Sequence, residues 1–103
     1  MILPSSLHEK NKKIIDRYGL DHQLLQLTEE CGELIQATSK YWRAKEEYGQ
    51  AEIYMAETDL KEEIADVLVL VDQIFHRLGV DEEEVHQKMA YKIDRQLGRM
   101  KKG

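Results

Sequence analysis

Residues 60–79 read LKEEIADVLVLVDQIFHRLG, and this stretch decides the fold class. Its middle, positions 67–71, is rich in β-branched residues, which on their own favour a β-strand. However, apolar residues recur every three or four positions on both sides of that segment, which is the spacing of one helix face. They are Leu60, Ile64, Val67, Leu68, Val71, Ile74, Phe75 and Leu78. We therefore predict a helix that begins with the capping-box pair Asp59 and Glu62 and ends at Gly79.

Three further helices are predicted around this one. Their expected spans are 5–18, 21–48 and 81 onwards, with Ser5 or Ser6, Asp21 and Asp81 as N-caps. The segment 50–58 fits either a loop or a further turn of helix. Short connections at Gly19 and Gly79 predict antiparallel neighbours, and no alternation of strands and helices suggests an α/β fold. We expect an all-α antiparallel bundle of about four helices, forming one domain over residues 1–103.

Composition and charge narrow the classes of function. The 103 residues include 15 basic and 20 acidic side chains, which leaves a net charge of −5. This balance disfavours non-specific binding to nucleic acid or to an anionic membrane. The single cysteine, Cys31, argues against a disulfide framework and a cysteine-rich zinc site, and it fits a reducing compartment. No signal peptide or membrane-spanning run is apparent, so we expect a cytoplasmic protein.

The predicted third helix is apolar on several sides, because Val69 and Leu70 lie outside its main stripe. A helix of this kind is usually buried on several sides. One chain of four helices can hardly cover it. We therefore expect a homodimer or a homotetramer.

Two pairs of acidic residues lie at helical spacing. Glu30 and Glu33 are three residues apart on the second predicted helix, and Glu63 and Asp66 are three apart on the third. Each pair flanks an apolar stripe, whereas Glu62 is expected to point away, so antiparallel packing can bring four carboxylates into one cleft. Such a cluster needs a counterion, and all-oxygen ligation suits Mg²⁺, or Mn²⁺ in its place, together with a phosphorylated ligand. On spacing alone, two solvated acidic faces explain the pattern about equally well.

A family resemblance is carried by two segments, EECGEL at 29–34 and EEIADV at 62–67. They resemble the signature Glu-x-x-Glu, spacer, Glu-x-x-Asp of the MazG-like nucleotide pyrophosphohydrolases, which belong to the all-α NTP pyrophosphatase superfamily. The resemblance extends over residues 21–95, with a spacer at the long end of the family's range. It implies Mg²⁺-dependent hydrolysis of nucleoside triphosphates between the α and β phosphates, and a role in the removal of non-standard or excess nucleotides. It also implies the catalytic and metal-binding residues, which are Glu30, Glu33, Glu63 and Asp66.

A basic stripe runs along the fourth predicted helix through Lys88, Lys92 and Arg95. In an acidic protein, such a stripe beside a cleft is a candidate polyphosphate clamp, and a solvated helix face is the alternative. Residues 88–95 are similar to a Lys-Met-x-x-Asn-x-x-Arg pattern that holds phosphates in many MazG-like proteins. Lys92 stands where that pattern has asparagine.

A nucleotide site is expected to offer a stacking surface and hydrogen-bonding groups to the base. Trp42 lies about two turns beyond Glu33 and is the candidate for stacking, with a core or interface position as the alternative. Gln26, one turn before Glu30, is the candidate for a hydrogen bond to a base edge.

Two other functions fit the same residues. Phosphoribosyl-ATP pyrophosphohydrolase is an enzyme on a similar fold and is the rival within the enzyme class. The rival from another class is a non-catalytic helical module that binds nucleotide or metal without turnover. Release of pyrophosphate separates the module from both enzymes, and the substrate accepted separates the two enzymes.

Overall fold

The computed structural model describes residues 3–102, which form four α-helices joined by short connections. They are α1 (Ser5–Tyr18), α2 (Leu20–Glu47), α3 (Gln50–Leu78) and α4 (Glu82–Lys102). No strand occurs in this part of the chain, so the predicted all-α class is confirmed. The two ends of the predicted domain, Met1 and Gly103, lie outside the described residues.

Helix α3 begins at Gln50 and not at Asp59, so the predicted capping box is wrong and the segment 50–58 is helical. This segment contains neither proline nor glycine, and alanine, glutamate and methionine in it are good helix formers. Ile53 and Ala56 are half-buried and extend the apolar face of the helix towards its N-terminus. Continuous packing along this face therefore outweighs the local capping signal.

Backbone groups, and not side chains, begin the first two helices. The N-cap of α1 is Pro4, and no side chain caps the helix, so the predicted cap at Ser5 or Ser6 is wrong. The first helical hydrogen bond runs from the His8 N–H to the Pro4 carbonyl at 3.0 Å. Helix α2 follows Gly19 directly and holds Asp21 in its first turn, so the predicted Asp21 cap is also wrong. Gly19 has a φ of 85°, a left-handed value that favours glycine, which allows the chain to turn between two helices.

The predicted cap of α4 is confirmed. Asp81 lies just before the helix, and its Oδ1 accepts a hydrogen bond from the Glu83 N–H at 3.0 Å. None of the four helices, as the structure describes them over residues 3–102, is long and apolar enough to cross a membrane.

The body of the molecule is the long pair α2 and α3, with α1 packed mainly against α3. Buried apolar side chains lie along these three helices: Ile15, Ala37, Ala44, Leu70 and Ile74. Small alanines on α2 allow the two long helices to approach closely. This close pairing places the acidic flank of α2 next to that of α3.

A buried polar network joins α1 to the two long helices. Asp72 accepts hydrogen bonds from His8 Nδ1 and from Asn11 Nδ2, both at 2.9 Å to its Oδ2. Gln73 donates to Asn11 Oδ1 at 2.9 Å and accepts from Gln23 Nε2 at 2.6 Å. Because a buried polar group without a partner is costly, this network specifies how α1 lies across α2 and α3.

Helix α4 has no close backbone contact with the other helices of its own chain. Its Cα atoms all lie more than 8 Å from those of α1, α2 and α3, and none of its residues is buried. The prediction that the Gly79 connection makes α4 an antiparallel neighbour is therefore wrong for the single chain. The left-handed φ of Gly79, 64°, turns the chain away from α3, and the radius of gyration is 16.9 Å. A compact domain of this length would have about 13 Å.

Candidate metal centre

Three of the four predicted carboxylates meet between α2 and α3. Glu30 and Glu33 from α2 and Glu63 from α3 each contribute one oxygen, and these oxygens lie within 4.8 Å of one another. Glu30 and Glu33 are one helical turn apart and therefore share a face of α2. Over residues 3–102, no other group of three or more acidic, histidine or cysteine side chains converges in this way.

Two of these carboxylates have an oxygen without a partner. Glu30 and Glu63 are half-buried, and the Oε2 atom of each is shielded from solvent and accepts no hydrogen bond. A buried carboxylate oxygen that has lost water and gained no donor is unfavourable. A cation bound by these carboxylates would offset that cost.

Burial and crowding change the acidity of the cluster. Desolvation, followed by the negative charge of Glu33 and then by the carboxyls of Glu63 and Asp66, raises the pKa of Glu30 to about 7. Desolvation is also the main reason that the pKa of Glu63 is raised, although its interaction with Glu30 works in the opposite direction. The metal-free cluster therefore retains a proton at mildly acidic pH.

Asp66, the fourth predicted carboxylate, is exposed and lies outside the group of three. It follows Glu63 by one helical turn. Its negative charge is close enough to raise the pKa of both Glu30 and Glu63. Asp66 is thus at the solvent-exposed edge of the cluster.

The chemistry of the donor set fits a hard divalent cation. The three converging groups offer only oxygen, which Mg²⁺ and Mn²⁺ prefer, whereas zinc sites usually include nitrogen or sulfur. The partnerless oxygens of Glu30 and Glu63 are the direct observation that supports this fit. The cluster is therefore a candidate site for a divalent cation.

A cleft of about 510 Å³ opens beside the carboxylates. Its lining comes from one face of each long helix, and the residues are Glu33, Gln36, Ala37 and Lys40 of α2 and Glu52, Met55, Ala56, Asp59, Glu62 and Glu63 of α3. The volume lies in the range of about 300–1,000 Å³ that is typical of small-molecule sites. The prediction that Glu62 points away is wrong, because the face of α3 that borders the cleft extends beyond the flank of Glu63 and Asp66.

Sequence reasoning missed the far end of this cleft. Gln36 and Lys40 follow Glu33 by three and seven residues, so helical spacing places them on the same face. Met55 was missed because the segment 50–58 was not assigned to a helix. Which part of the α2 face meets α3 depends on tertiary packing, and the sequence pattern contains no signal for it.

The basic stripe of α4 is not part of the cleft in the single chain. Lys88 pairs with Glu84 at 3.6 Å between Nζ and Oε1, which is a contact within α4. The Arg95 guanidinium lies 5.8 Å from the ring centroid of Tyr91, also on α4. Lys92 lines a shallow groove on the same helix. The structure therefore does not bring these three cations to the carboxylates.

The two predicted base contacts also lie outside the cleft. Trp42 is 65% exposed, and Gln26 is half-buried. Neither side chain is among those that line the cleft next to Glu33. A nucleotide base bound in this cleft would therefore contact neither Trp42 nor Gln26 of the same chain.

Comparison with known proteins adds one finding. The family model for the MazG nucleotide pyrophosphohydrolase domain matches residues 20–98. The matched region begins with α2 and includes all four predicted carboxylates and most of α4. Neither the curated proteins nor the solved structures contain a match to the chain.

Proposed function

Because the chain belongs to the MazG nucleotide pyrophosphohydrolase family, we propose that it hydrolyses nucleoside triphosphates to a nucleoside monophosphate and pyrophosphate. The observation that carries this proposal is the group of three carboxylates, with two partnerless buried oxygens, beside an open cleft. The bond cleaved joins the α and β phosphates. Removal of non-standard nucleotides is the physiological role that we infer from family membership.

The proposed cofactor is Mg²⁺, with Mn²⁺ as a substitute. Glu30, Glu33 and Glu63 would hold it, and Asp66 would act from the exposed edge of the cluster. When bound, such an ion neutralises phosphate charge and lowers the pKa of a coordinated water. The oxygen-only donor set is the reason for this choice of metal.

The exposed carboxylates next to the metal-binding group are suited to orient the attacking water and accept its proton. A carboxylate that no cation fully engages can orient a water molecule and accept its proton. Asp66 and Glu62 are exposed and adjoin Glu63 on α3, and Glu62 also lines the cleft. We therefore place the proton acceptor among these two residues and the metal-binding group.

We propose a homodimer or homotetramer as the functional unit. The chain exposes 8045 Å² of surface, whereas a compact monomer of 12.1 kDa exposes about 6,000 Å². The excess of about 2,000 Å² matches the area of a large stable interface. The apolar stripe of α4, which includes Met89, Ile93 and Leu97, is about half exposed in the single chain.

The same packing would give the basic stripe a role. Lys88, Lys92 and Arg95 lie beside the apolar stripe of α4. If a second chain covers that stripe, the three cations come close to the second chain. Cations brought next to a neighbouring cleft would balance the charge of a polyphosphate. We keep these three residues as proposed substrate contacts on that basis.

The test is an assay of products with the purified protein and Mg²⁺. A panel of natural and damaged nucleoside triphosphates, together with phosphoribosyl-ATP, should yield pyrophosphate and the matching monophosphate from at least one member. Chelation of the metal should stop the reaction. Turnover of phosphoribosyl-ATP alone would identify a phosphoribosyl-ATP pyrophosphohydrolase, and nucleotide binding without any pyrophosphate release would identify a non-catalytic module.

A further inference from the structure

We propose that the cleft between α2 and α3 binds the nucleoside end of the substrate, and that Lys40 is a substrate-binding residue in it. The inference rests on the proposed function, since it takes the carboxylate cluster as the place where the phosphates are held. It adds a direction to substrate binding. The phosphates lie at Glu30, Glu33 and Glu63, and the nucleoside extends along the cleft towards Lys40.

The charge of the cleft favours a nucleoside over a phosphate tail. Five of its lining residues are acidic: Glu33, Glu52, Asp59, Glu62 and Glu63. Lys40 is the single lysine or arginine of the lining. Beyond the metal-binding group, a polyphosphate would therefore meet several like charges and one cation. A nucleoside is uncharged and avoids this repulsion.

The surface of the cleft supports the same assignment. Ala37 is buried, Ala56 is half-buried, and Met55 is exposed, so each helix contributes apolar atoms between the polar ends of the cleft. Apolar surface with a few hydrogen-bonding groups is typical of sites that bind a planar organic ring. The amide of Gln36 supplies both a donor and an acceptor on the same wall.

The position of Lys40 suits the far end of a bound nucleoside. It follows Glu33 by seven residues on one face of α2, which is about 10 Å along the helix axis. A ribose and its base can span this distance beyond the reacting phosphate. In the part of the chain that the structure describes, Lys40 takes part in no ion pair, so its ammonium is available to donate to a base oxygen or ring nitrogen.

The experiment separates the nucleoside from the phosphates. Calorimetric titration in Mg²⁺ would measure the Kd of the α,β-methylene analogues of ATP, GTP, CTP and UTP, which resist cleavage of the relevant bond. Inorganic tripolyphosphate serves as the probe without a nucleoside. For Lys40→Ala we expect at least about tenfold weaker binding of the best analogue, the size expected for a lost charged hydrogen bond, and unchanged binding of tripolyphosphate. Lys40→Arg should retain part of the affinity.

The matched control is Lys61→Ala. Lys61 is an exposed lysine of α3 that pairs with Glu57 at 3.0 Å and does not line the cleft. This variant should bind every probe as the wild type does. Thermal unfolding of each variant checks that the fold is intact, which is expected because both lysines are exposed.

Three results would overturn the inference. Equal loss of analogue and tripolyphosphate binding would place Lys40 on the phosphates, and no loss of either would remove it from the site. Failure of the wild type to bind any of the four analogues would show that the cleft is not a nucleoside-binding site. Because the titrations need no turnover, Lys40-dependent binding without pyrophosphate release would contradict the proposed function and leave this inference standing.

Discussion

Glu30 and Glu63 lie on different helices, and each buries one carboxylate oxygen without a hydrogen-bond partner beside the carboxylate of the other. Two acceptors cannot satisfy each other unless one of them carries a proton. Desolvation is the main reason that the pKa of both residues is raised, and the negative charges of Glu33 and Asp66 add to it. The cluster therefore favours either a bound proton or a bound cation, and the two compete for the same oxygens.

Replacing Glu33 by glutamine is expected to reduce turnover at least about a hundredfold, since even residues that only support metal ligands are worth about 10- to 100-fold. The same change should leave the metal-free protein equally stable or more stable. Glu33 is exposed, and its negative charge raises the pKa of both Glu30 and Glu63, so its removal relieves repulsion. Initial rates of pyrophosphate release and urea unfolding in a chelator would measure the two effects.

The control for this prediction is Glu29→Gln. Glu29 is an exposed neighbour of Glu30 and is absent from the metal-binding group. Its replacement should leave turnover unchanged. Full activity in Glu33→Gln, or an equal loss in Glu29→Gln, would show that the site is wrongly assigned.

The free energy of unfolding of the metal-free protein should decrease as the pH rises from about 5 to about 8. The folded protein raises the pKa of Glu30 from 4.5 to about 7, so it binds this proton more tightly than the unfolded chain does. The resulting stabilisation is fully present below about pH 4.5 and is lost as the pH rises through about 7. Saturating Mg²⁺ should remove the decrease, because the cation replaces the proton.

Urea unfolding at several pH values, with and without Mg²⁺, tests this dependence. Other groups also titrate, so the informative quantity is the difference between the wild type and Glu30→Gln. The variant cannot lose a proton at this position and should show a flatter profile. Identical pH profiles for the two proteins would contradict the raised pKa.

The sequence predicts the middle and the C-terminus of α3, but not its N-terminus. Apolar spacing in residues 60–78 identifies a helix, because it continues on both sides of the β-branched segment. The N-terminus of α3 was not predictable in the same way. Asp59 and Glu62 have the spacing of a capping box, although they lie inside α3. Ile53 and Ala56 are half-buried on the same helix, and this burial depends on tertiary packing that the local sequence does not reveal.

The candidate site was predicted in part for a related reason. Spacing of three residues identifies Glu30 with Glu33 as neighbours, and the family signature links them to Glu63 across the helix pair. The spacing of apolar residues does not reveal which surface covers them. The position of α4, and with it that of Lys92, is therefore known only from the tertiary structure. Lys40 lies on the Glu33 face, but only the packing of α3 reveals that this part of the face borders a cleft.

Truncation of Asn11 should destabilise the protein by about 1–3 kcal/mol. Asn11 is 4% exposed and connects Asp72 to Gln73, so alanine removes one of the two hydrogen bonds to Asp72 Oδ2 and leaves the buried amide nitrogen of Gln73 without its acceptor. Urea unfolding measures the loss. Glu9→Ala is the control, because Glu9 is exposed and pairs with Lys12 at the surface. A cost for Asn11→Ala no larger than that of the control would show that the network contributes little.

Placing a charge on the apolar stripe of α4 should dissociate the proposed oligomer. Ile93 is 58% exposed in the single chain, so Ile93→Asp has little effect on the fold of the chain itself. At an apolar interface it would bury an unpaired carboxylate, which is costly. Light scattering of both proteins should show a multimer for the wild type and a monomer for the variant. A monomeric wild type would contradict the proposed functional unit.

Lys92→Ala should raise the KM for nucleoside triphosphate several-fold and leave thermal stability unchanged. Lys92 is exposed on α4, which has no close backbone contact with α2 or α3. In the proposed oligomer it would bind the polyphosphate at a neighbouring chain's cleft, so its effect would require the oligomer. For this reason Ile93→Asp should also raise the KM, and adding Lys92→Ala to it should cause no further increase. Lys101→Ala, in the last turn of α4, is the control for a general loss of positive charge. An unchanged KM in Lys92→Ala would assign this lysine to the solvated face of the helix.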